Sequence, residues 1–340
     1  MSWQVELKRS GRKFVVEDNE TVLAAALRQQ IGLPYGCRDG ACGSCRARLL
    51  SGEIEYGKQY PTALAGDGLP VNSVILCQAR PKTDLLIDVE ELSMVAGLEP
   101  RILPCRVVTL ERLSHDVMGV GLKLPQNQRL RYLAGQYIDI LLSGGKRRSY
   151  SLANSPESDE LLQLQIRHVE GGLFTTHVFT SMKEKELLRL RGPMGTFFLR
   201  PENAEPVILV AGGTGFAPMQ AILEQQLNDQ ASRPISLYWG VRSLRDLYRH
   251  EQCLQWAQHH GNFRYVPVLS EPEDTDAWQG QTGWVHDAVL RDHADLSGYQ
   301  VYAAGPPVMI RALKKAFLAA GLKPDRLYSD SFEYAGDHES

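Results

Sequence analysis

The chain opens on alternation. In WQVELK the apolar residues recur at every second position, and KFVVE, with Phe14 and Val16 on one side, reads as a second short strand with one buried face. Ser10 and Gly11 between them read as a turn. The period then lengthens. TVLAAALRQQIG reads as a helix that starts near Thr21 and stops at Gly32, ahead of Pro34. LLSGEIEYG and DLLIDVEEL return to strand character.

SMVAGLEPRILP has two prolines and no period, and residues 93–100 read as a linker. Beyond it come CRVVTLERL, VMGVGLKL, GQYIDILL, RRSYSLAN and LLQLQIRHV, all strand-like. The turn signals LPQNQ, SGGK and NSPESDE separate them. Several short strands at this spacing predict an antiparallel barrel.

From residue 204 the pattern changes again. EPVILVAGGTGFAPMQAILEQQ begins with a strand of the fully buried type at 207–211, crosses a glycine-rich turn and enters a helix near Pro218. Strands ISLYWGVR, FRYVPVLS and YQVYAAG then alternate with helices LRDLYRHEQCLQWAQHH, VHDAVLRDH and PPVMIRALKKAFLAAG, the last closed by Gly321. This alternation predicts a doubly wound parallel sheet.

Composition narrows the function classes. A chain of 340 residues suits two or three domains. The net charge of -3 argues against a general nucleic-acid binder. Lys and Arg against Asp and Glu number 11 and 12 over residues 1–95, 15 and 11 over 96–203, and 11 and 17 over 204–340. The middle stretch is the basic one, which suits a domain holding an anionic cofactor. The start MSWQVELKRSGRK has no apolar signal segment, and no apolar run reaches the roughly 18 residues that span a bilayer. A cytoplasmic protein with no membrane partner is the expectation.

Chemistry enters with CRDGACGSC. Cys37, Cys42 and Cys45 are spaced C-x4-C-x2-C, and the next cysteine is Cys77 in VILCQAR. A plant-type [2Fe–2S] site uses such a triplet with one distant cysteine. Gly40, Ala41, Gly43 and Ser44 are small enough to let backbone N–H groups turn onto sulfur. Zinc is the competing reading, but its sites favour paired C-x2-C knuckles and this chain has one pair. Cys105 and Cys253 fit no ligand spacing and read as small buried hydrophobes.

With that loop and its flanking elements, residues 1–92 resemble a plant-type ferredoxin domain, which implies a β-grasp sheet crossed by one helix. Further on, Arg148-Ser149-Tyr150-Ser151 matches the R-x-Y-S motif of the ferredoxin–NADP reductase superfamily. The residue types suit flavin: an arginine fork pairs with a pyrophosphate, a tyrosine stacks on a flat ring, and the Ser151 hydroxyl bonds near the hydride-accepting N5. Gly171-Gly172-Leu173-Phe174-Thr175 resembles the family's glycine-led turn, whose N–H groups hold the cofactor pyrophosphate at a helix start. GPMGTFFLR, residues 192–200, resembles the closing strand of the family's barrel.

Gly212-Gly213-Thr214-Gly215 with Ala217 and Pro218 matches the GGTG-x-AP element of the same superfamily, not G-x-G-x-x-G. In AAGPPVM, Gly305, Pro306 and Met309 match, while Ala304 stands where many relatives have cysteine. The resemblance also implies a near-terminal aromatic over the flavin, with Phe332 the best match and Tyr334 the second. Residues 101–203 are thus expected to bind FAD and 204–340 a nicotinamide dinucleotide.

Relatives specific for NADPH carry Ser-Arg where this chain has Ser270-Glu271. A carboxylate repels a 2′-phosphate and accepts hydrogen bonds from a ribose diol, so NADH is expected over NADPH. Arg242 and Arg245 argue the other way, since a cation there suits a phosphate.

The resemblance covers the whole chain and implies a reductase that moves electrons from NADH through FAD and a [2Fe–2S] cluster to a separate protein. A bacterial ring-hydroxylating or other oxygenase component is the expected acceptor. The alternative is a CDP-6-deoxy-3,4-glucoseen reductase serving an iron–sulfur sugar dehydratase. A redox-sensing or carrier module without steady turnover is the competing class, against which the full set of flavin and nucleotide elements speaks.

Overall fold

The structure is a computed structural model that describes residues 1–57, 60–65, 69–201, 204–229 and 231–332. The chain separates into two compact units, Met1–Pro100 with Met194–Thr196, and Arg101–Pro193 with Phe197–Ser340.

In the first unit, strands β1 (Trp3–Leu7) and β2 (Lys13–Val16) form a hairpin, followed by helix α1 (Val22–Arg28). Then come β3 (Arg46–Ser51), β4 (Ile54–Glu55), β5 (Ser73–Ile75), β6 (Arg80–Pro81) and β7 (Leu85–Asp88). The main sheet runs β2-β1-β7-β3-β5, with β1 and β7 parallel. Alternation decides its faces: Val5, Leu7, Phe14 and Val16 are buried, as are Val22, Leu23, Ala25 and Ala26 of α1. Thr21 caps α1, its hydroxyl accepting from Ala24 N–H at 3.3 Å.

Two expectations need correction here. Helix α1 ends at Arg28, not Gly32. Gln30 takes the left-handed conformation (φ 59°), and Ile31 N–H returns to Ala26 O at 2.8 Å, a helix-closing turn made without glycine. Gly32 instead admits a close approach, because a Cβ there would lie 2.3 Å from Leu92 O. LLSGEIEYG also splits. Gly52 (φ +96°) breaks it, and β4 pairs with β6 in a separate two-stranded sheet.

The second unit begins with a six-stranded antiparallel sheet. Its strands are β8 (Arg101–Arg112), β9 (Val117–Lys123), β10 (Tyr137–Leu141), β11 (Arg147–Ser151), β12 (Leu162–Arg167) and β13 (Leu187–Met194), with helix α2 (Leu173–Thr180) between the last two. Spatial order is β11-β10-β13-β8-β9-β12. A bridge from Leu152 to Leu164, with Ala153 N–H on Gln163 O at 2.8 Å, joins the outer strands into a barrel. Val107, Leu122, Ile138, Ile140, Leu152, Ile166 and Leu190 fill it, all fully buried. The closing strand expected at 192–200 lies earlier. β13 stops at Met194, and Gly195 (φ +86°) takes the backbone out of the extended region.

The rest of this unit is a parallel sheet. Its elements are β14 (Val207–Gly212), α3 (Phe216–Asn228), β15 (Ile235–Val241), α4 (His250–His259), β16 (Phe263–Leu269), β17 (Gln281–Thr282), α5 (Val285–Asp292), β18 (Gln300–Gly305), α6 (Pro307–Ala319) and β19 (Leu327–Ser331). The order β17-β16-β15-β14-β18-β19 shows the chain winding outward from β14, then returning to its other side. β14 and β18 are buried at every residue, as central parallel strands must be. Their carboxyl ends form the switch point where open α/β sheets bind ligands. The helix expected from Leu244 starts only at His250, because Ser243 and Asp246 cap a separate short 3₁₀ turn. Among the described residues no helix is long and apolar enough to cross a membrane.

Candidate functional site

The first unit gathers the four cysteines. The 37–45 loop turns through left-handed Arg38, Gly40 and Gly43, and its N–H groups point at sulfur. Cys37 N and Asp39 N lie 3.4 Å from Cys42 Sγ and Cys37 Sγ respectively, and Cys42 N lies 3.4 Å from Cys37 Sγ. Gln78, beside Cys77, donates to Arg38 O at 2.9 Å, and Leu76 N–H reaches Cys45 O at 3.1 Å. These bonds tie the distant cysteine to the loop. The thiols pair as Cys37 with Cys42 and Cys45 with Cys77. The hydrogen bond from Cys37 pulls the Cys42 thiol below its ordinary value, and Cys77 is lowered in the same way by Cys45. Four soft donors ringed by N–H groups fit an iron–sulfur cluster.

The barrel carries the flavin candidates. Strand β11 presents Arg148, Ser149, Tyr150 and Ser151 opposite β10. Tyr150 lies 5.7 Å from the Phe174 ring, tilted 43°, and burial raises its phenol. Gly171 (φ +72°) and Gly172 lead into α2, and no side chain caps that helix, so its first N–H groups suit an anion. Two side chains of these segments bond within the barrel. The Ser149 hydroxyl donates to buried Asp139 at 2.6 Å. The Thr175 hydroxyl donates to Val169 O and receives Val169 N–H, holding the turn shut. Leu173 is exposed.

At the switch point Gly213 (φ +55°), Thr214 and Gly215 make one tight turn before α3. A Cβ on Gly215 would lie 2.0 Å from Ala304 O, and one on Gly212 2.6 Å from Met309 Sδ. The GGTG and AAGPPVM segments therefore pack backbone to backbone, and Pro218 sits in the first turn of α3 where its missing N–H costs nothing. Trp239 Nε1 donates to Gly213 O at 2.9 Å, and its ring stacks on Phe216 at 4.0 Å. Phe332 donates its N–H to Gly305 O at 3.0 Å, which places it beside Gly305 and Pro306. Tyr334 lies outside the described residues.

Arg242 and Glu271 meet at the ends of β15 and β16, both exposed. Arg245 is 3.7 Å from Glu273. One residue the sequence reading missed is Arg167, at the end of β12. Its Nε donates to Asp116 at 2.7 Å, while its Nη1 stands 3.6 Å from where a Gly213 Cβ would be. A cation thus borders the glycine turn. Its strand was legible in LLQLQIRHV, but its neighbour across the fold was not.

Comparison with known proteins agrees over the full length. The 2Fe-2S iron-sulfur cluster binding domain family matches residues 5–82, the oxidoreductase FAD-binding domain family 104–199 and the oxidoreductase NAD-binding domain family 209–315. The chain is 38% identical to the CDP-6-deoxy-L-threo-D-glycero-4-hexulose-3-dehydrase reductase of Yersinia pestis, over 98% of this chain and 99% of that one. It is 34% identical to the phenol hydroxylase P5 protein of Acinetobacter pittii, over 99% and 96%. The crystal structure of the Amycolatopsis cytochrome P450 reductase GcoB superposes with a TM-score of 0.80 at 33% identity, covering 97% and 98%.

Proposed function

Since this chain belongs to the reductases that join a [2Fe–2S] ferredoxin domain to FAD- and NAD-binding domains, we propose that it carries electrons from NADH to a separate iron–sulfur protein. FAD supplies a two-electron hydride acceptor and the cluster a one-electron carrier, so together they convert a hydride into single electrons. The observation that carries the reading is the cluster of four thiols, three in one loop and Cys77 beside it, in one chain with the R-x-Y-S strand and the paired glycine turns of the switch point.

The chain's own residues divide the work. Cys37, Cys42, Cys45 and Cys77 are the cluster ligands. Arg148 pairs with the FAD pyrophosphate, and the Gly171–Thr175 turn offers it backbone N–H groups. Tyr150 stacks on the flavin and the Ser151 hydroxyl faces its reacting edge. Gly213, Thr214 and Gly215, with Ala217 and Pro218 behind them, receive the dinucleotide phosphates, and Arg167 adds a cation. Gly305, Pro306 and Met309 shape the nicotinamide end, and Phe332 covers the flavin. Glu271 favours the ribose diol of NADH.

The acceptor is a hexulose dehydrase partner, supported by the 38% full-length identity to a reductase of that name. An oxygenase component is the second reading, supported by the 34% and 33% relatives. Anaerobic NADH should bleach the flavin and reduce the cluster. Stoichiometric transfer should then occur to a purified dehydrase and not to an oxygenase component. The reverse preference would select the second reading, and NADH that leaves both centres oxidised would defeat the proposal.

A further inference from the structure

A line of polar side chains joins the barrel to the nucleotide-binding sheet within the second unit. The Tyr248 hydroxyl donates to Gln165 Oε1 at 2.8 Å, and Gln165 Nε2 donates to Gln220 Oε1 at 2.7 Å. Gln220 Nε2 donates to Glu224 Oε1 at 2.8 Å, and the other Glu224 oxygen accepts Ser155 N–H at 3.1 Å. Gln165 is on β12, and Ser155 follows β11, so the line touches the barrel at two points beside its Leu152–Leu164 seam. Gln220 and Glu224 belong to α3, the helix that the GGTG turn begins. Tyr248 stands edge-on to Trp239 at 5.1 Å, and Trp239 holds the Gly213 carbonyl.

The direction of this line has one physical origin. An ionised carboxylate only accepts, so Gln220 must turn its NH2 toward Glu224. Its oxygen then faces Gln165, which must answer with its own NH2, and the oxygen left over receives the Tyr248 proton. Gln165 and Gln220 are 8% and 3% exposed, so a mismatched pair would leave buried groups unsatisfied.

We infer that this line is a directional joint that fixes α3 and its phosphate turn against the flavin-bearing strands, with Glu224 the positioning residue that orients it. The inference rests on the reading above, in which the sheet holds NADH and the barrel holds FAD. Such placement matters because a displacement of about 1 Å between reacting groups costs on the order of a hundredfold in rate.

Burial raises the Glu224 carboxyl above its ordinary 4.5, with Gln220, Ser155 and Arg249 pulling the other way. Stability from this group is therefore fullest below 4.5 and declines as pH rises through the raised value. A neutral amide relieves that penalty at pH 8 but accepts only one of the two bonds, so its NH2 meets a donor, either the Gln220 NH2 or the Ser155 N–H.

The test compares Glu224→Gln and Glu224→Leu with the native holoprotein. Amide hydrogen exchange at Ser155, without nucleotide, judges the joint itself. The limiting rate of flavin reduction and the Kd for NADH judge its effect. Expected results are faster Ser155 exchange in Glu224→Leu and a limiting rate lower by on the order of tenfold or more, with NADH Kd changed less than about twofold. Glu224→Gln should fall between, with a Tm at pH 8 equal to or above the native value. Should Glu224→Leu not fold, Glu224→Gln decides alone. Native exchange at Ser155, or a native limiting rate in both variants, overturns the inference. A rate loss in Glu224→Gln that tracks a lowered Tm shows a merely structural role and overturns it as well. Native flavin that NADH does not reduce would instead overturn the functional reading.

Discussion

The backbone N–H of Glu271 donates to the carbonyl oxygen of Arg242 at 2.8 Å. This bond, between the ends of β16 and β15, joins an acidic and a basic residue through their backbones at the edge where a dinucleotide's second ribose is expected. Arg245, the other cation nearby, lies within ion-pair distance of Glu273. Glu271→Arg removes a repulsion toward a 2′-phosphate and adds a partner for it. Its kcat/KM for NADPH should rise about tenfold, the equivalent of about 1.4 kcal/mol. Steady-state rates with ferricyanide and each nucleotide check this. A native preference for NADPH would mean that Arg242 holds the phosphate.

Cys42→Ser should destroy or weaken the cluster, because a hard oxygen ligand is a poorer match for cluster iron than a thiolate. Ferricyanide reduction by NADH should persist, since that small acceptor takes electrons from flavin. Cytochrome c reduction should fall to background. Acid-labile sulfide, measured alongside both rates, separates loss of the cluster from loss of fold.

Cys105 gives a contrasting case. It lies in the barrel core at 2% exposure, and burial alone pushes its thiol up to about 12. Only the thiolate reacts, so iodoacetamide at pH 8 should leave Cys105 unlabelled in the folded protein and label it in denaturant. Peptide mass spectrometry reads the difference, and labelling without unfolding would contradict the barrel packing.

Arg148→Ala should weaken FAD binding by roughly 10–100-fold, the range of a charge-assisted hydrogen-bond pair worth about 1.5–3 kcal/mol. Flavin content after gel filtration and a fluorescence titration with FAD measure it. Unchanged affinity would remove Arg148 from the pyrophosphate site.

Gly215→Ala sets a methyl group 2.0 Å from Ala304 O, which cannot be relieved by a rotamer change. Backbone separation of the Gly213–Gly215 turn from β18 should cost about 1–3 kcal/mol and lower the Tm. NADH affinity should drop together with it. A native Tm would mean that the turn and β18 are not packed this tightly.

Much of this was legible along the chain because the signals are local. Alternation in KFVV and the unbroken apolar run of VILVAG set which faces of β2 and β14 are buried. The glycines of CRDGACGSC and GGTG answer to backbone conformation within a few residues, so their type betrays their place. Misreadings came where a local signal had a remote cause. Gly32 looked like a helix stop, yet it is glycine because Leu92 O approaches it, while Gln30 ends the helix. The partners of the Thr175 and Ser149 hydroxyls, Val169 and Asp139, were likewise set by the fold and not by any motif.

The amino-acid sequence by itself determined the elements, the loop of thiols and the two glycine turns, since each depends on neighbours in the chain. Only the tertiary structure decided which strands adjoin and which distant polar groups become partners. Arg167 borders Gly213, and Gln165 bonds Gln220, because barrel closure at Leu152–Leu164 brings β12 beside α3. A hydrogen bond between side chains so far apart in sequence leaves no period or motif behind. It exists because burial makes an unpaired amide costly, and the fold supplies a partner within reach.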